Sequence, residues 1–211
     1  MTTDVTCCTK KSRGRPKVFD REVALDKAMT LFWQHGYEAT SLSDLVEATG
    51  AKAPTLYAEF VNKEGLFRAV LERYIARFAD RHEAQLFSEE KTVAAALTDY
   101  FTAVASCYTS KDTPAGCFLI NTSATLAASS KEIARMLKCR HAQQEQTLCA
   151  FLEKRQQRGE IPAGKNPAEL AQFLSCILRG MSVTAREGAD FDKLIQITAT
   201  TMRLWPQMLK D

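Results

Sequence analysis

The sequence predicts an all-α fold: a small three-helix unit containing a helix-turn-helix at its N-terminal end, followed by a larger helical unit. Three observations predict it. Apolar residues recur at i, i+3, i+4 spacing in segment after segment, and no strand pattern, repeat or low-complexity run competes. The stretch Thr40–Phe60 reads as two short helices with Gly50 between them. The 211 residues are 45% hydrophobic and 25% charged, ample for a packed core. The predicted organisation is a basic arm over 1–18, the helix-turn-helix unit over 19–65 and the larger unit over 66–211.

Composition bounds the function classes. The formal charge is only +3, so positive charge must act where it is concentrated. No apolar run approaches the roughly 20 residues of a membrane span, and the first residues hold no apolar signal core. A cytoplasmic chain is the expectation. Seven cysteines without framework spacing point to free thiols rather than a disulfide scaffold. The absence of G-x-S-x-G, H-E-x-x-H and phosphate-loop patterns argues against a helical enzyme.

The arm carries Lys10, Lys11, Arg13, Arg15 and Lys17 with no acid among them. Within it, Arg13-Gly14-Arg15-Pro16 resembles the core of an AT-hook, whose arginines enter narrow, strongly negative A·T-rich minor grooves. The alternative is a solvated basic tail. The adjacent Cys7 and Cys8 read as unrelated exposed thiols. Asp20 is placed to cap the first helix, which should run to about His35 and stop at Gly36. Val23, Leu25, Ala28, Leu31 and Phe32 are its expected buried face, with Trp33 and Tyr37 packing the three-helix core.

Thr40 and Ser41 offer side-chain oxygens to the next helix, whose apolar stripe is Leu42, Leu45 and Val46. Gly50 falls where that helix should stop, since glycine enters the left-handed region at no steric cost. Pro54 fits the first turn of the following helix, where its missing N–H is no loss. Leu56 and Phe60 then face inward, and Lys52, Thr55 and Tyr57 outward. This makes a helix-turn-helix candidate; any helical hairpin would share the pattern. Asn62 caps a long helix, predicted unbroken to about Gln85, with Leu66, Phe67, Val70, Leu71, Tyr74 and Phe78 inward.

Here the residues carry a family resemblance. G-R-P near the start, F-W-Q-H-G-Y-E-A-T-S-L, G-A-K-A-P-T-L-Y-A-E-F and N-K-E-G-L-F resemble the DNA-binding domain of the TetR family of bacterial transcriptional repressors, over residues 13 to about 71. The later motifs T-P-A-G-C-F-L-I-N, R-G-E-I-P and R-E-G-A-D resemble the copper-responsive ComR-type repressors within that family. The resemblance implies a TetR-like fold with a C-terminal ligand-binding and dimerisation domain. It implies a repressor released from a double-stranded operator by an effector, copper or a small organic molecule, with no obligatory cofactor. It makes Ala53–Phe60 the recognition helix, with Lys52 and Thr55 suited to base edges and Ala53 to a thymine methyl. Thr40, Tyr57 and Lys63 match phosphate-holding positions of the family; a plain N-cap and a packed aromatic are the alternatives for Thr40 and Tyr57.

The larger unit reads as helix throughout. Val93, Ala96, Leu97, Tyr100, Phe101, Val104 and Tyr108 mark one helix, and 111–116 a loop. A short apolar helix follows over about 117–127. Ser129 and Ser130 are placed to cap a long helix from Lys131 to about Arg158. Asn166-Pro167 opens another, Gly188 stops it, and Asp190 caps the last, to about Met208. Leu170, Phe173, Leu174, Ile177, Leu178, Met181 and Val183 cover more than one face of their helix, which suits a homodimer, with small residues Ser175, Gly180, Ser182 and Ala185 allowing close approach; a fully internal helix is the alternative.

Soft donors suit Cu(I), and the larger unit supplies them. Cys139-x-His141 fails as a site, because residues two apart on a helix point about 200° apart. Helical phase instead selects His82, Cys107, His141, Gln144 and Cys176, and these with Cys117 from the same donor inventory are the candidates to converge on one cavity. The alternative reading is buried thiols acting as small hydrophobes and histidines satisfied by hydrogen bonds.

Overall fold

The computed structural model describes residues 19–87, 90–128 and 130–210, and every regular element among them is a helix. The arm residues Arg13, Arg15 and Lys17, and Ser129, lie outside the described residues. The elements are α1 (Arg21–Ala39), α2 (Leu42–Thr49), α3 (Ala53–Phe60), α4 (Lys63–Tyr74), a π-helical turn (Ile75–Ala79), α5 (Asp80–Leu86), α6 (Val93–Tyr108), α7 (Phe118–Ala124), α8 (Lys131–Gln157), α9 (Pro167–Arg186) and α10 (Phe191–Met208).

Local signals set most boundaries. The Asp20 carboxylate accepts from the amides of Glu22 and Val23. Asn62 accepts from Gly65, Asn166 from Ala168, and Asp190 from Lys193. Each satisfies an amide that a helix start leaves free. Ser130 does not cap α8 through its side chain; its hydroxyl donates to Glu38 instead.

α1 packs across α4 and α2, and its last turn meets α7. Its backbone leaves helical geometry at Gly36 (φ 81°) before continuing to Ala39. That glycine is required twice over: a Cβ there would stand 2.3 Å from the Thr125 hydroxyl. Beside it, the Glu38 carboxylate accepts from the Ala127 amide and the Ser130 hydroxyl, so the end of α1 is seated on the loop between α7 and α8. Two expectations for α1 are corrected. Val23 is 46% exposed, because Ala24, Leu25, Ala28, Met29, Phe32 and Trp33 form the inward face and Val23 lies one position off it. Trp33 packs outside the three-helix core, edge-on to Tyr74 and Phe78 at 5.2 and 5.7 Å and against Phe118. Tyr37 does pack there, on Phe32 and Phe67.

The helix after Asn62 is not one uninterrupted α-helix. The π turn at Ile75–Ala79 inserts the equivalent of one residue. Before it the inward positions are Phe67, Val70, Leu71 and Tyr74, on the side that packs against α1. An unbroken helix would continue that face to 81, 82 and 85. Instead Leu86 is fully buried and Arg81 and Gln85 are exposed. The turn re-phases the helix so that its first half serves α1 and its second half α6.

α8 packs along α9, and α10 on α6 and α9. α9 buries Leu174, Leu178 and Met181 while Phe173 (38%) and Val183 (46%) stand exposed, as do Phe191 and Leu204 of α10. Of the four small residues expected at a twofold contact, Ser175, Ser182 and Ala185 are buried inside this chain. Ser182 accepts from the Cys117 amide at 2.7 Å. Only Gly180 of the four is on the outer face.

Candidate nucleic-acid interface and effector cavity

The reading head is fixed from the sequence upward. Ser41 caps α2 in a reciprocal box with Asp44, at 3.1 Å and 2.7 Å. The same bonds hold the Asp44 carboxyl below the usual range. Gly50 ends α2 in the left-handed region (φ 68°), its amide donating to Val46. Lys52 then takes the N-cap of α3 with no side-chain cap of its own, and Pro54 occupies the first turn. Leu45, Leu56 and Phe60 are buried beneath the pair. Arg21 ties the far end of α3 down, with Nε donating to Glu59 at 2.7 Å and the guanidinium over the Phe60 ring.

Anchored this way, α3 presents Lys52, Pro54 and Tyr57 to solvent, with Ala53 and Thr55 partly exposed between them; Tyr57 is 47% exposed. The Thr55 and Leu56 amides donate to the Lys52 carbonyl and Pro54 has none, so what this end offers an anion is the positive end of the helix dipole beside the Lys52 ammonium. Lys63, at the start of α4, is half-buried, its ammonium 4.4 Å from the centre of the Tyr37 ring. Burial pulls its pKa down, and the carboxylates of Glu38 and Asp44 partly restore it. Tyr37 is thus a shelf for Lys63 as well as a core aromatic. Thr40 is a correction. It is 1% exposed, and its hydroxyl donates to the Gly36 carbonyl at 2.8 Å, so it has neither surface nor a spare proton for a phosphate. Ser41 takes the N-cap of α2, and Thr40 bonds back to the carbonyl four residues before it.

Four of the six effector candidates meet. His82, Cys107, Cys117 and Gln144 line one buried cavity of about 30 Å³ between α5, α6, α8 and the α7 N-terminus. Tyr74, Tyr100, Tyr108, Glu83 and Arg140 complete its walls. Tyr74 and Cys117 are hydrogen-bonded at 3.4 Å, and Gln144 donates to the Tyr100 hydroxyl at 3.3 Å. Burial pushes the Cys107 thiol up to about 12, with Cys117 adding to it. Burial likewise raises the phenols of Tyr74, Tyr100 and Tyr108 and depresses His82. Burial thus disfavours charge on Cys107, His82 and the three phenols, and the cavity wall also holds the Arg140–Glu83 ion pair at 2.8 Å. The Arg140 Nε is buried there without a partner among the described residues.

The other two candidates lie elsewhere. His141 is one residue on from Arg140, so it faces away, toward an open groove where its Nε2 sits 3.2 Å from the Ser123 hydroxyl. Cys176 is on the exposed face of α9. The tyrosines, Glu83 and Arg140 were not singled out from sequence. Tyr100, Val104, Cys107 and Tyr108 do form a legible stripe on α6, whereas Glu83 and Arg140 are 57 residues apart and nothing local pairs them.

Two thiols and an imidazole on one small cavity are a soft donor set that suits Cu(I). Yet among the described residues no three His, Cys, Asp or Glu side chains stand together as a metal-holding group. The donors fit the ion's chemistry in kind. In this conformation a third ligand is not in place.

Comparisons with known proteins agree in one direction. The family described as bacterial regulatory proteins, tetR family, matches residues 24–70, and that described as tetracyclin repressor-like, C-terminal domain, matches 93–199. The HTH-type transcriptional repressor ComR of Escherichia coli K12 is 70% identical over 210 residues, covering 100% of both chains. The HTH-type transcriptional repressor BdcR of the same organism is 30% identical over 193 residues, 90% of this chain and 92% of the relative. Among solved structures, a cysteine mutant of the TetR family regulator CifR, complexed with 26-base-pair operator DNA, is 29% identical with a TM-score of 0.86; the match covers 92% of this chain and 100% of that one.

Proposed function

The chain belongs to the tetR family of bacterial regulatory proteins, and on that premise we propose that it is a homodimeric DNA-binding transcriptional repressor released from its operator by an effector, copper before an organic molecule. The observation that carries the DNA reading is the outward face of α3. Its Lys52 and Tyr57 are exposed and its Thr55 partly so, on a helix whose other side is locked by Leu56, Phe60 and the Arg21–Glu59 bond. A helix held so can enter a major groove without rearranging. The operator complex of CifR, with a closely similar fold, supports the same docking.

The exposed apolar face of α9 and α10, with Phe173, Val183, Phe191 and Leu204, supports a second copy as partner. Two reading heads then address half-sites roughly 34–36 Å apart. Cavity size favours an ion over an organic effector. About 30 Å³ admits a water or a bare ion, whereas small-molecule sites run to roughly 300–1,000 Å³. Cu(I) would be held by the thiolates of Cys107 and Cys117 with His82 at hand, and its binding would release the thiol protons. An ion drawn onto His82 pulls on α5, whose continuation through the π turn into α4 leads to the end of α3.

The experiment is selection of bound duplexes from a random pool, followed by titration of the selected duplex complex with Cu(I). A defined two-half-site operator released by Cu(I), but retained in the Cys107→Ser and Cys117→Ser variants, is the expected result. An operator whose affinity does not respond to Cu(I) rejects the copper reading alone. Failure to enrich any duplex rejects the DNA reading itself.

A further inference from the structure

A second opening lies on the other side of α8. The groove between α7, α8 and α9 has a volume of about 420 Å³. It is within the roughly 300–1,000 Å³ range of small-molecule sites, unlike the buried cavity. Its floor is apolar, with Leu126 and the buried Leu137. Its rim carries Lys138 and Arg179, and among the described residues neither takes part in an ion pair or a side-chain hydrogen bond. Glu145 is the single acid among the lining residues, so two fixed cations face one carboxylate and the groove is net positive.

Hydrogen bonds engage the groups at its inner end. The Ser123 hydroxyl donates its proton to the Leu119 carbonyl at 2.8 Å. With that proton on Leu119, the Ser123 oxygen is an acceptor for the Nε2–H tautomer of His141 at 3.2 Å. Burial, then the charges of Arg179 and Arg140, depress the imidazole pKa and favour the neutral ring. His141 is thus a neutral wall, and the groove's positive charge sits outward on Lys138 and Arg179.

We propose that this groove is a second ligand site, for an amphiphile with a carboxylate head and a medium-length apolar chain. The head meets the planar fork of Arg179, which matches a carboxylate in two-pronged geometry, with Lys138 as a second cation. The chain lies on Leu126 and Leu137. The site shares its walls with the buried cavity: Arg140 and His141 are consecutive on α8, and Leu119 and Ser123 are one turn apart on α7. This site is independent of the copper and DNA readings, because it is tested on the protein alone.

Calorimetric titration of the full chain with decanoate, decanol and decyltrimethylammonium tests it. Decanoate should bind, and the other two at least about tenfold more weakly, the loss of one charge-assisted contact. Arg179→Gln and Lys138→Gln should each weaken decanoate by about tenfold. Both side chains are exposed, so unchanged thermal melting verifies that the variants fold. Equal binding of all three probes, or decanoate binding indifferent to both variants, overturns the site. Absence of decanoate binding overturns it as well, and is the outcome if a second copy of the chain covers the groove.

Discussion

The Arg140 guanidinium donates to the Glu83 carboxylate at 2.8 Å, joining α8 to the second half of the connecting helix inside a largely buried setting. Thr147 donates to the same carboxylate at 3.3 Å. Burial raises the Glu83 pKa more than Arg140 and Thr147 lower it, which marks a pair whose desolvation is only partly offset. Arg140→Met should therefore destabilise by about 3–5 kcal/mol, toward the lower figure because Glu83 can take up a proton. Adding Glu83→Leu should recover most of that loss, since no buried charge is then left alone. Urea unfolding of wild type, single and double variants measures it. A double variant as unstable as the single would contradict the account.

The first half of the same helix is held to α1 by a different device. Arg73 grips Asp26 with Nε at 2.7 Å and Nη2 at 2.9 Å, and Arg77 adds a bond at 3.2 Å. The Arg73 bond, against a smaller effect of burial, holds the Asp26 carboxyl below its ordinary 3.8. A depressed carboxyl contributes stability above its unfolded pKa and loses it as pH falls through the folded one. Below about pH 3.8, then, α1 should loosen from α4. The pair is part-exposed, so solvent screening holds its worth to about 1 kcal/mol or less. Asp26→Asn should flatten the acid limb of stability against pH, and thermal melts from pH 3 to 6 read the difference.

Between α3 and α4 the chain makes a three-residue turn, the Asn62 amide donating to the Phe60 carbonyl at 2.7 Å. Its central residue is Val61, at φ 67° and ψ −52°, and 76% exposed. A β-branched side chain in that region is strained by about 1–3 kcal/mol, and no burial compensates it. Val61→Gly removes the strain while adding chain entropy to the unfolded state, for a net gain of about 1 kcal/mol. Denaturant unfolding should show a higher midpoint with an unchanged slope. A lower midpoint would mean that the turn is not strained.

What the sequence made legible was what neighbours decide. The caps Asp20, Asn62, Asn166 and Asp190 and the break at Gly50 depend on residues within a few positions, and each stands where the pattern placed it. The convergence of His82, Cys107 and Gln144 was readable because helical phase points each inward; Cys117, the N-cap of α7, joins them through the placement of α7. What distant contacts decide was not. The π turn follows from one helix serving α1 and then α6. Trp33 joined the aromatic cluster with Tyr74 and Phe118 because α7 reaches α1. His141 fell outside the cavity because its neighbour Arg140 took the inward place to meet Glu83.

The reading face divides into residues that should behave differently on DNA. Lys52, exposed, and Thr55, partly exposed, sit at the start of α3, where a helix in the major groove meets base edges. Lys52→Ala and Thr55→Ala should each cost about 1–3 kcal/mol on the preferred operator and much less on variants changed at the contacted base pair. Lys63 is held against the Tyr37 ring, a fixed charge at a helix start that suits a phosphate. Lys63→Ala should weaken all duplexes alike and reduce the salt slope by about 0.9. Tyr57→Phe keeps the ring and removes the hydroxyl, so it should also act uniformly. Thr40→Ala is the contrasting case. Its hydroxyl is committed to the Gly36 carbonyl, so the variant should lower the melting temperature and leave affinity for every duplex unchanged. Fluorescence anisotropy on the selected operator and its single-base variants, at several salt concentrations, separates these outcomes. A Thr40→Ala variant that bound every duplex more weakly without losing stability would show that this side chain turns outward on DNA. A Lys52→Ala variant weakened equally on every duplex would move Lys52 from the bases to the backbone.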